Sequence, residues 1–238
     1  MQPMCRGMER LRIMTANLWA DRVDAAGFAA RVGHFDPDVV CTQELSPAAA
    51  DRLAELYPYG ELHPTHDFRG MGIALKSPGK VTKLELPHNG GLIAVLEPAD
   101  WPMLVEPLEI MNMHFAAPGP RRPISAQFAR RRQLAGFDAY LASAPDHPRM
   151  VIGDMNSTPL WPLYRRLAGR FEDAHKTVAR RFGRLPRRTW GPTPRWPRLL
   201  RIDHVFVNRV AISDLWVVPI PGSDHSGIML DIQSFSAS

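Results

Sequence analysis

The sequence predicts an α/β fold. Short apolar runs of the kind that form β-strands recur along the whole chain, and helical stretches interrupt them in two places. Turn signals at Pro78-Gly79 and Asn89-Gly90-Gly91 separate neighbouring strand candidates. Hairpins of this kind imply mixed rather than purely parallel pairing. The chain has 238 residues, 45% hydrophobic and 22% charged, which is enough to bury a core without disulfide or metal staples. These features fit one domain with two layers of sheet, or a sheet covered by helices on its outer faces. Residues 1–10 are expected to form a flexible tail and residues 11–238 the domain.

Taken in order, residues 11–17 predict a strand. Residues 23–35 predict a short helix, ended by Asp36-Pro37 because a residue before proline leaves the helical region. Residues 38–44 predict a strand. Residues 47–57 predict a helix: Pro47 suits a first turn, and Leu53, Leu56 and Tyr57 share a face. Four strand candidates follow, at 72–76, 80–86, 91–97 and 107–115. The longest helical candidate is 125–142, with Phe128, Leu134, Phe137 and Leu141 apolar. A short buried strand is expected at 150–154 and a helix at 160–168. Residues 176–200 have no clear period. The last strands are expected at 202–208, 210–218 and 227–232.

Composition excludes several classes. No uncharged apolar run approaches the roughly 18 residues of a membrane span, and the first dozen residues lack the apolar segment of a signal peptide. Of the two cysteines, Cys41 sits in an apolar run as a small buried thiol, and Cys5 lies in the tail. A reducing, cytoplasmic setting is therefore expected; a monomer is expected as well. There is no P-loop, no Gly-x-Ser-x-Gly elbow, no His-Glu-x-x-His helix and no zinc spacing of Cys and His.

Six apolar runs end in, or carry, polar residues that a core strand does not need: Asn17, Gln43-Glu44, Asn112 with His114, Asp154 with Asn156, Asp203-His204 and Ser223-Asp224-His225. Each alone reads as a turn residue, a helix cap or a solvated side chain. As a set they are different, because buried charges are costly unless paired or bound to a metal. Their types also suit one chemistry. A Glu offers a hard oxygen to Mg²⁺, an Asp positions or deprotonates a water, and Asn and His donate to phosphoryl oxygens. A second Asp orients a histidine through its other ring nitrogen. That is the equipment for metal-assisted hydrolysis of a phosphate ester.

Thr15-Ala16-Asn17, Thr42-Gln43-Glu44, Asn112-Met113-His114, Gly153-Asp154-Met155-Asn156, Arg201-Ile202-Asp203-His204 and Ser223-Asp224-His225 resemble, in order, the motifs of the endonuclease/exonuclease/phosphatase superfamily. The resemblance implies a four-layer α-β-β-α sandwich, two mixed β-sheets packed face to face with helices outside. It implies that Glu44 holds Mg²⁺ or Mn²⁺ with Asn17 beside it and Asp224 close to the metal. Asp154 would align or deprotonate the water, and Asn17 and Asn156 would contact the phosphate. His225, oriented by Asp203, would bind the scissile phosphate or stabilise its developing charge, and His114 would contact the phosphate or assist the leaving group. His204 alternates away from Asp203 and is expected to be structural. One position departs from the AP endonucleases, which carry an acid two residues after the first Asn. Here it is Trp19, which implies a sparser metal site.

The motifs leave the substrate open. Residues 1–120 hold 10 Lys/Arg against 15 Asp/Glu, whereas 121–238 hold 19 against 9. Segment 176–201 carries Lys176 and eight arginines, including Arg187, Arg188, Arg195, Arg198 and Arg201, with no acid, and Trp190 and Trp196 are interleaved. A second basic cluster is Arg121-Arg122 with Arg130-Arg131-Arg132. Arginine can neutralise phosphates and tryptophan can stack bases, so Arg187, Arg188, Trp190 and Trp196 are the expected substrate contacts and nucleic acid the expected partner. An anionic membrane surface is the alternative partner, with a phospholipid phosphodiesterase or a phosphomonoesterase as the alternative activity. Arginine decoration from a biased genome is the plainest explanation of the excess, and a catalytically idle binding module is a further alternative.

Overall fold

The structure, a computed structural model, describes residues 10–87, 90–118 and 123–233. The first sheet contains β1 (Arg10–Asn17), β2 (Val39–Gln43), β3 (Tyr59–His63), β4 (Met71–Leu75), β11 (Ile212–Pro219) and β12 (Ser226–Gln233), in the order β11-β12-β1-β2-β4-β3. The second contains β5 (Lys80–Lys83), β6 (Gly91–Leu96), β7 (Leu108–His114), β8 (Arg149–Asp154), β9 (Glu172–Asp173) and β10 (Asp203–Asn208), in the order β5-β6-β7-β8-β10-β9. Each sheet has one parallel pair, β1 with β2 and β7 with β8, and is otherwise antiparallel.

Strand alternation sorts side chains into three apolar layers. Leu11, Ile13, Cys41 and Ile73 of the first sheet meet Ala94, Ile110, Ile152 and Val205 of the second in the central core. The other face of the first sheet, with Met14, Val40 and Met229, packs on Phe28 and Val32 of α1 (Ala25–Phe35) and Leu53 of α2 (Pro47–Leu56). The outer face of the second sheet, with Met111, Val151 and Phe206, packs on Phe137 of α3 (Pro123–Ser143) and Leu163 and Leu167 of α4 (Pro162–Ala168). The result is the four-layer sandwich. The first two helices start where their caps dictate: Asp24 accepts from the Gly27 amide at 2.9 Å, and Ser46 accepts from the Ala49 amide with Pro47 following.

Topology then gathers the polar strand ends. The parallel pairs end side by side, with Asn17 beside Gln43 and His114 beside Asp154. β12 runs antiparallel to β1, so its start, just after His225, lies at the end of β1. β10 runs antiparallel to β8, so Asp203 lies opposite Asp154. Residues scattered over two hundred positions thus share one edge of the sandwich. Two buried amides pin the sheets there: Gln43 donates to Thr15 Oγ1 at 3.1 Å and across the sandwich to Asn112 Oδ1 at 2.6 Å. Asn112 in turn donates to the carbonyls of Thr42 and Gly72 at 2.9 and 3.0 Å.

Most expected elements are present within a few residues, with three differences. β3 is a short edge strand paired only to β4, largely exposed, with no apolar alternation to signal it. α5 (Ala174–Arg181) falls mostly in the stretch without a clear period and the two-residue β9 just before it, where no element was expected; α5 buries small or polar side chains, Ala174, His175 and Ala179, around one larger one, Val178. β5 stops at Lys83 rather than 86. Cys41 is a buried free thiol, while Cys5 and the tail up to residue 9 lie outside the described residues, as do Asn89 of the expected turn and Arg121-Arg122. No helix among the described residues is long and apolar enough to cross a membrane.

Because Asn112 satisfies Gln43 and two strand carbonyls at once, Asn112→Ala leaves several buried polar atoms without partners. The expected loss is about 3 kcal/mol of unfolding free energy in urea. A loss well under about 1 kcal/mol would show that the amide pair does not hold the sheets together.

Candidate active site

Asp154 is the centre of the site. It is buried, and its carboxylate accepts from the Asn156 amide (2.7 Å), from Asn156 Nδ2 (3.0 Å) and from Asn17 Nδ2 (3.1 Å). Asn17 Nδ2 also donates to Glu44 Oε1 at 3.0 Å, so one amide bridges the two acids. His114 Nε2 stands 3.7 Å from Glu44 and 3.8 Å from Asp154. His225 Nδ1 lies 2.9 Å from Asp203 Oδ2, and its Nε2 reaches to 3.9 Å from both Asp154 and Asp224. All eight expected catalytic and metal residues therefore lie in one cluster.

The local backbone explains why these residues are held. Glu44 and Asn156 both follow strand ends in the left-handed region, at φ 52° and 45°, so each side chain turns back over the end of its strand. Gly153 sits at φ 122°, and a Cβ there would lie 2.2 Å from the Met113 carbonyl and 3.0 Å from Gln43 Nε2. Only glycine lets β8 pass the amide clamp and deliver Asp154. Ser223 Oγ donates to the Asn17 carbonyl at 2.8 Å and accepts from the His225 amide at 3.0 Å, which docks the last loop onto β1.

Four carboxylates close together set the electrostatics. Burial raises the pKa of Asp154, and the charge of Asp203 raises it further. Burial also raises Glu44 and Asp224. For His225 burial opposes the charge, but Asp203 and Asp154 outweigh it and its pKa is pushed up to about 10. One imidazolium does not balance four acids. Glu44 Oε2 and Asp224 Oδ1 are buried with no hydrogen-bond partner among the described residues, and Glu44, His114 and Asp154 offer ligand atoms within 4.8 Å of one another. A divalent cation fits this donor set. Asp224 stands slightly apart, since its Oδ2 accepts from the Trp190 indole at 3.0 Å.

Comparison with known proteins decides the family. Residues 14–225 match the Endonuclease/Exonuclease/phosphatase family, nearly the whole chain. The chain belongs to that family. No curated protein sequence matches it. Similar solved structures include D. rerio TDP2 humanized by 14 mutations (20% identity, 94% of this chain and 99% of that chain covered, TM-score 0.69). The AP endonuclease LMAP from Leishmania major is 19% identical, with 94% and 88% covered and a TM-score of 0.66. The human Nocturnin catalytic domain with bound sulfate is 17% identical, with 95% of each chain covered and a TM-score of 0.66. At these identities the likeness is one of fold, and the family match makes the chain a phosphohydrolase of the endonuclease/exonuclease/phosphatase type.

The mouth of this family member's site is an open pocket of about 600 Å³. Glu44, Arg69, His114, Asp154, Asn156, Asp224 and His225 form the polar part of its lining. The walls are mostly apolar: Trp19, Phe68, Trp161, Trp190, Leu200 and Ile202. Of the expected substrate contacts only Trp190 lines the pocket; Arg187, Arg188 and Trp196 are exposed beyond it. The sequence reading left out Phe68 and Trp161, which sit on loops with no motif to mark them, and it treated Trp19 only as a missing acid.

The arginine-rich segment divides in two. Arg201 is buried in an ion pair with Asp173 at 2.8 Å, and Arg198 donates to Ser226 Oγ and to the carbonyls of Ser223 and His225, bracing the loop that carries His225. Arg181 donates to the Ile212 carbonyl. Arg198 and Arg201 are internal fasteners, so the expected polyanion-binding face excludes them; Arg181 is exposed but spends part of its guanidinium on that carbonyl. Arg130 is likewise internal, donating to the carbonyls of Ala116 and Asn156. Arg180, Arg184, Arg187, Arg188 and Arg195 remain exposed. His204 is buried against Tyr164 and Phe206, with Nε2 at 2.7 Å from the Ser157 carbonyl.

The exposed stretch is tethered by His175, whose Nε2 accepts from the Arg187 amide at 3.1 Å. Burial, with the Arg201 charge second, lowers the His175 pKa to about 4. Its stabilising contribution is thus complete above the ordinary histidine pKa of about 6.5. It is lost as pH falls from there to about 4, because the unfolded chain takes up a proton that the folded one refuses. His175→Gln keeps an acceptor for Arg187 and removes the titration. Urea unfolding of the variant between those two pH values should lose roughly 3 kcal/mol less than the wild type. Parallel curves for the two proteins would contradict the assignment.

Proposed function

We propose that this protein is a divalent-metal-dependent phosphodiester hydrolase acting on nucleic acid. The observation that carries the hydrolase is the convergence of Glu44, Asp154 and Asp224 with His114, His225 and Asn156 on one pocket floor, backed by buried Asn17 and Asp203, with two carboxylate oxygens left without a partner among the described residues. Glu44, with Asp224 beside it, would hold Mg²⁺ or Mn²⁺, whose Lewis acidity polarises a phosphoryl oxygen when bound. Asp154 takes the proton of the attacking water. Asn17 and Asn156 keep its carboxylate aimed, and Asn156, which lines the pocket, can present its amide to the phosphate. The His225 imidazolium, held by Asp203, donates to the phosphoryl oxygen that gains charge in the transition state. His114, at the pocket lining, stands where it can contact the phosphate or the leaving oxygen.

Nucleic acid is supported by the exposed Arg180, Arg184, Arg187, Arg188 and Arg195 alongside Trp190 in the pocket. D. rerio TDP2, of similar fold, has been solved with a single-strand DNA product (20% identity, TM-score 0.68). A lipid phosphodiester is the second reading. It is favoured by exposed aliphatic side chains: Leu160 (79%) and Leu199 (43%) flank the lining residues Trp161 and Leu200, and Leu185 (88%) lies among the arginines.

With Mg²⁺ or Mn²⁺ the purified protein should hydrolyse bis-p-nitrophenyl phosphate, and EDTA should stop it; a metal-independent rate would refute the metal role. Asp154→Ala and His225→Ala should each lower kcat by about 10³-fold while the protein remains folded by circular dichroism. Near-wild-type turnover in either would remove that residue from the mechanism.

Single-stranded oligonucleotide binding should weaken steeply with salt, and Arg187→Ala/Arg188→Ala should reduce the log–log slope by roughly 1–2. An unchanged slope would take these arginines out of the interface. Binding to vesicles of phosphatidylcholine with phosphatidylserine, without oligonucleotide binding, would replace the nucleic-acid reading by the lipid one.

A further inference from the structure

Trp19 is an anomaly. A large side chain occupies the left-handed region, at φ 62° and ψ 36°, and Ala20 after it is also left-handed at φ 53°. A bulky residue keeps such a conformation only where its surroundings enforce it. Here they do. The Trp19 amide donates to Asn17 Oδ1 at 2.9 Å, Leu18 and Ala20 donate to the carbonyls of Gln43 and Glu44, and Arg22 donates back to the Trp19 carbonyl. The Arg22 guanidinium lies 4.5 Å over the indole. The turn has a consequence for the catalytic amide. With Asn17 Oδ1 taken by the Trp19 amide, Asn17 Nδ2 is the end that faces Glu44 and Asp154.

A glycine would make the same turn without strain. The tryptophan therefore serves something the backbone does not need, and its indole lines the pocket beside Glu44. Of the two other indoles in the lining, Trp161 is on the loop before α4, and Trp190 is committed to Asp224 through its own N–H and bridged in backbone to Leu200 and His225. Apart from the His225 imidazolium on the floor, Arg69 is the only cation among the described residues that line the pocket, and it is paired with Asp67 at 2.6 Å. A wall of this composition suits an uncharged planar group better than a second phosphate.

We propose that Trp19 is a specificity-determining residue: braced by Arg22, its indole stacks on a nucleobase attached to the scissile phosphate. The assignment deepens the phosphodiesterase reading and rests on it. The turn sets Asn17, and the ring selects the group next to the phosphate.

Two esters with the same leaving group separate these roles: thymidine 5′-(p-nitrophenyl phosphate), which carries a base, and methyl p-nitrophenyl phosphate, which does not. Trp19→Gly relieves the backbone, so the variant is expected to fold and to keep Asn17 in place. It should lose about tenfold in kcat/KM on the thymidine ester, mainly through KM, and change little on the methyl ester. Trp19→Phe should restore most of the loss. In EDTA, Trp19→Gly should also weaken binding of thymidine 5′-monophosphate, by calorimetry, about tenfold while leaving inorganic phosphate unaffected. Equal losses on both esters, or none on either, would overturn the stacking role and leave the hydrolase intact. A wild type that cleaves neither ester, with the mononucleotide binding difference still present, would overturn the phosphodiesterase reading and leave the nucleobase contact standing.

Discussion

Gln43 of one sheet and Asn112 of the other meet at 2.6 Å inside the sandwich, and the site depends on that bond. Elsewhere the sheets meet through aliphatic side chains, which resist separation but set no sharp register. At the catalytic edge a buried amide pair takes over, with both carbonyl partners of Asn112 drawn from the first sheet. Hydrogen bonds in a dry interior tolerate little displacement, because losing one leaves its groups unpaired. The first sheet supplies Asn17, Glu44 and His225 from its strand ends and adjoining turns, and the second supplies His114, Asp154 and Asp203. Their mutual distances are set by how the two sheets are locked. Gly153 belongs to the same constraint, since any side chain there would push into the clamp.

The next consequence is electrostatic. Concentrating four acids at a partly buried floor is unfavourable in isolation. The fold lowers that cost in three visible ways. Asn17 and Asn156 donate to the carboxylates, His225 carries a charge between Asp203 and Asp154, and the mouth stays open to solvent. The oxygens of Glu44 and Asp224 without a partner among the described residues remain, and Glu44, with His114 and Asp154, marks where a cation would complete the balance. Stability is given up at this edge and recovered in the three apolar layers behind it.

Some of the arrangement was legible before any coordinates. The strand-terminal polar residues stood out because apolar runs have no use for them, and their order matched a known set of motifs. The four-layer sandwich came from that resemblance; the apolar pattern alone left open whether there were two sheets or one. The basic segment was harder. Arg198 and Arg201 look the same in sequence as Arg187 and Arg188, yet the first two are spent on Ser226, on carbonyls and on Asp173, while the last two are exposed. β3 escaped notice because an exposed edge strand needs no alternation, and α5 because its buried face is built mostly of small and polar residues.

The division follows from what each level of structure encodes. Local sequence determined which residues could be strands, which polar groups sat at their ends, and therefore the class of chemistry. Those properties depend on side-chain type and on periods of two or 3.6 residues. Only the tertiary structure decided which arginines are free, that Trp19 is strained and lines the mouth, and that the mouth is apolar beside an acidic floor. Such features arise where segments far apart in the chain compete for the same hydrogen-bond partners and the same space, and no local pattern records the outcome of that competition.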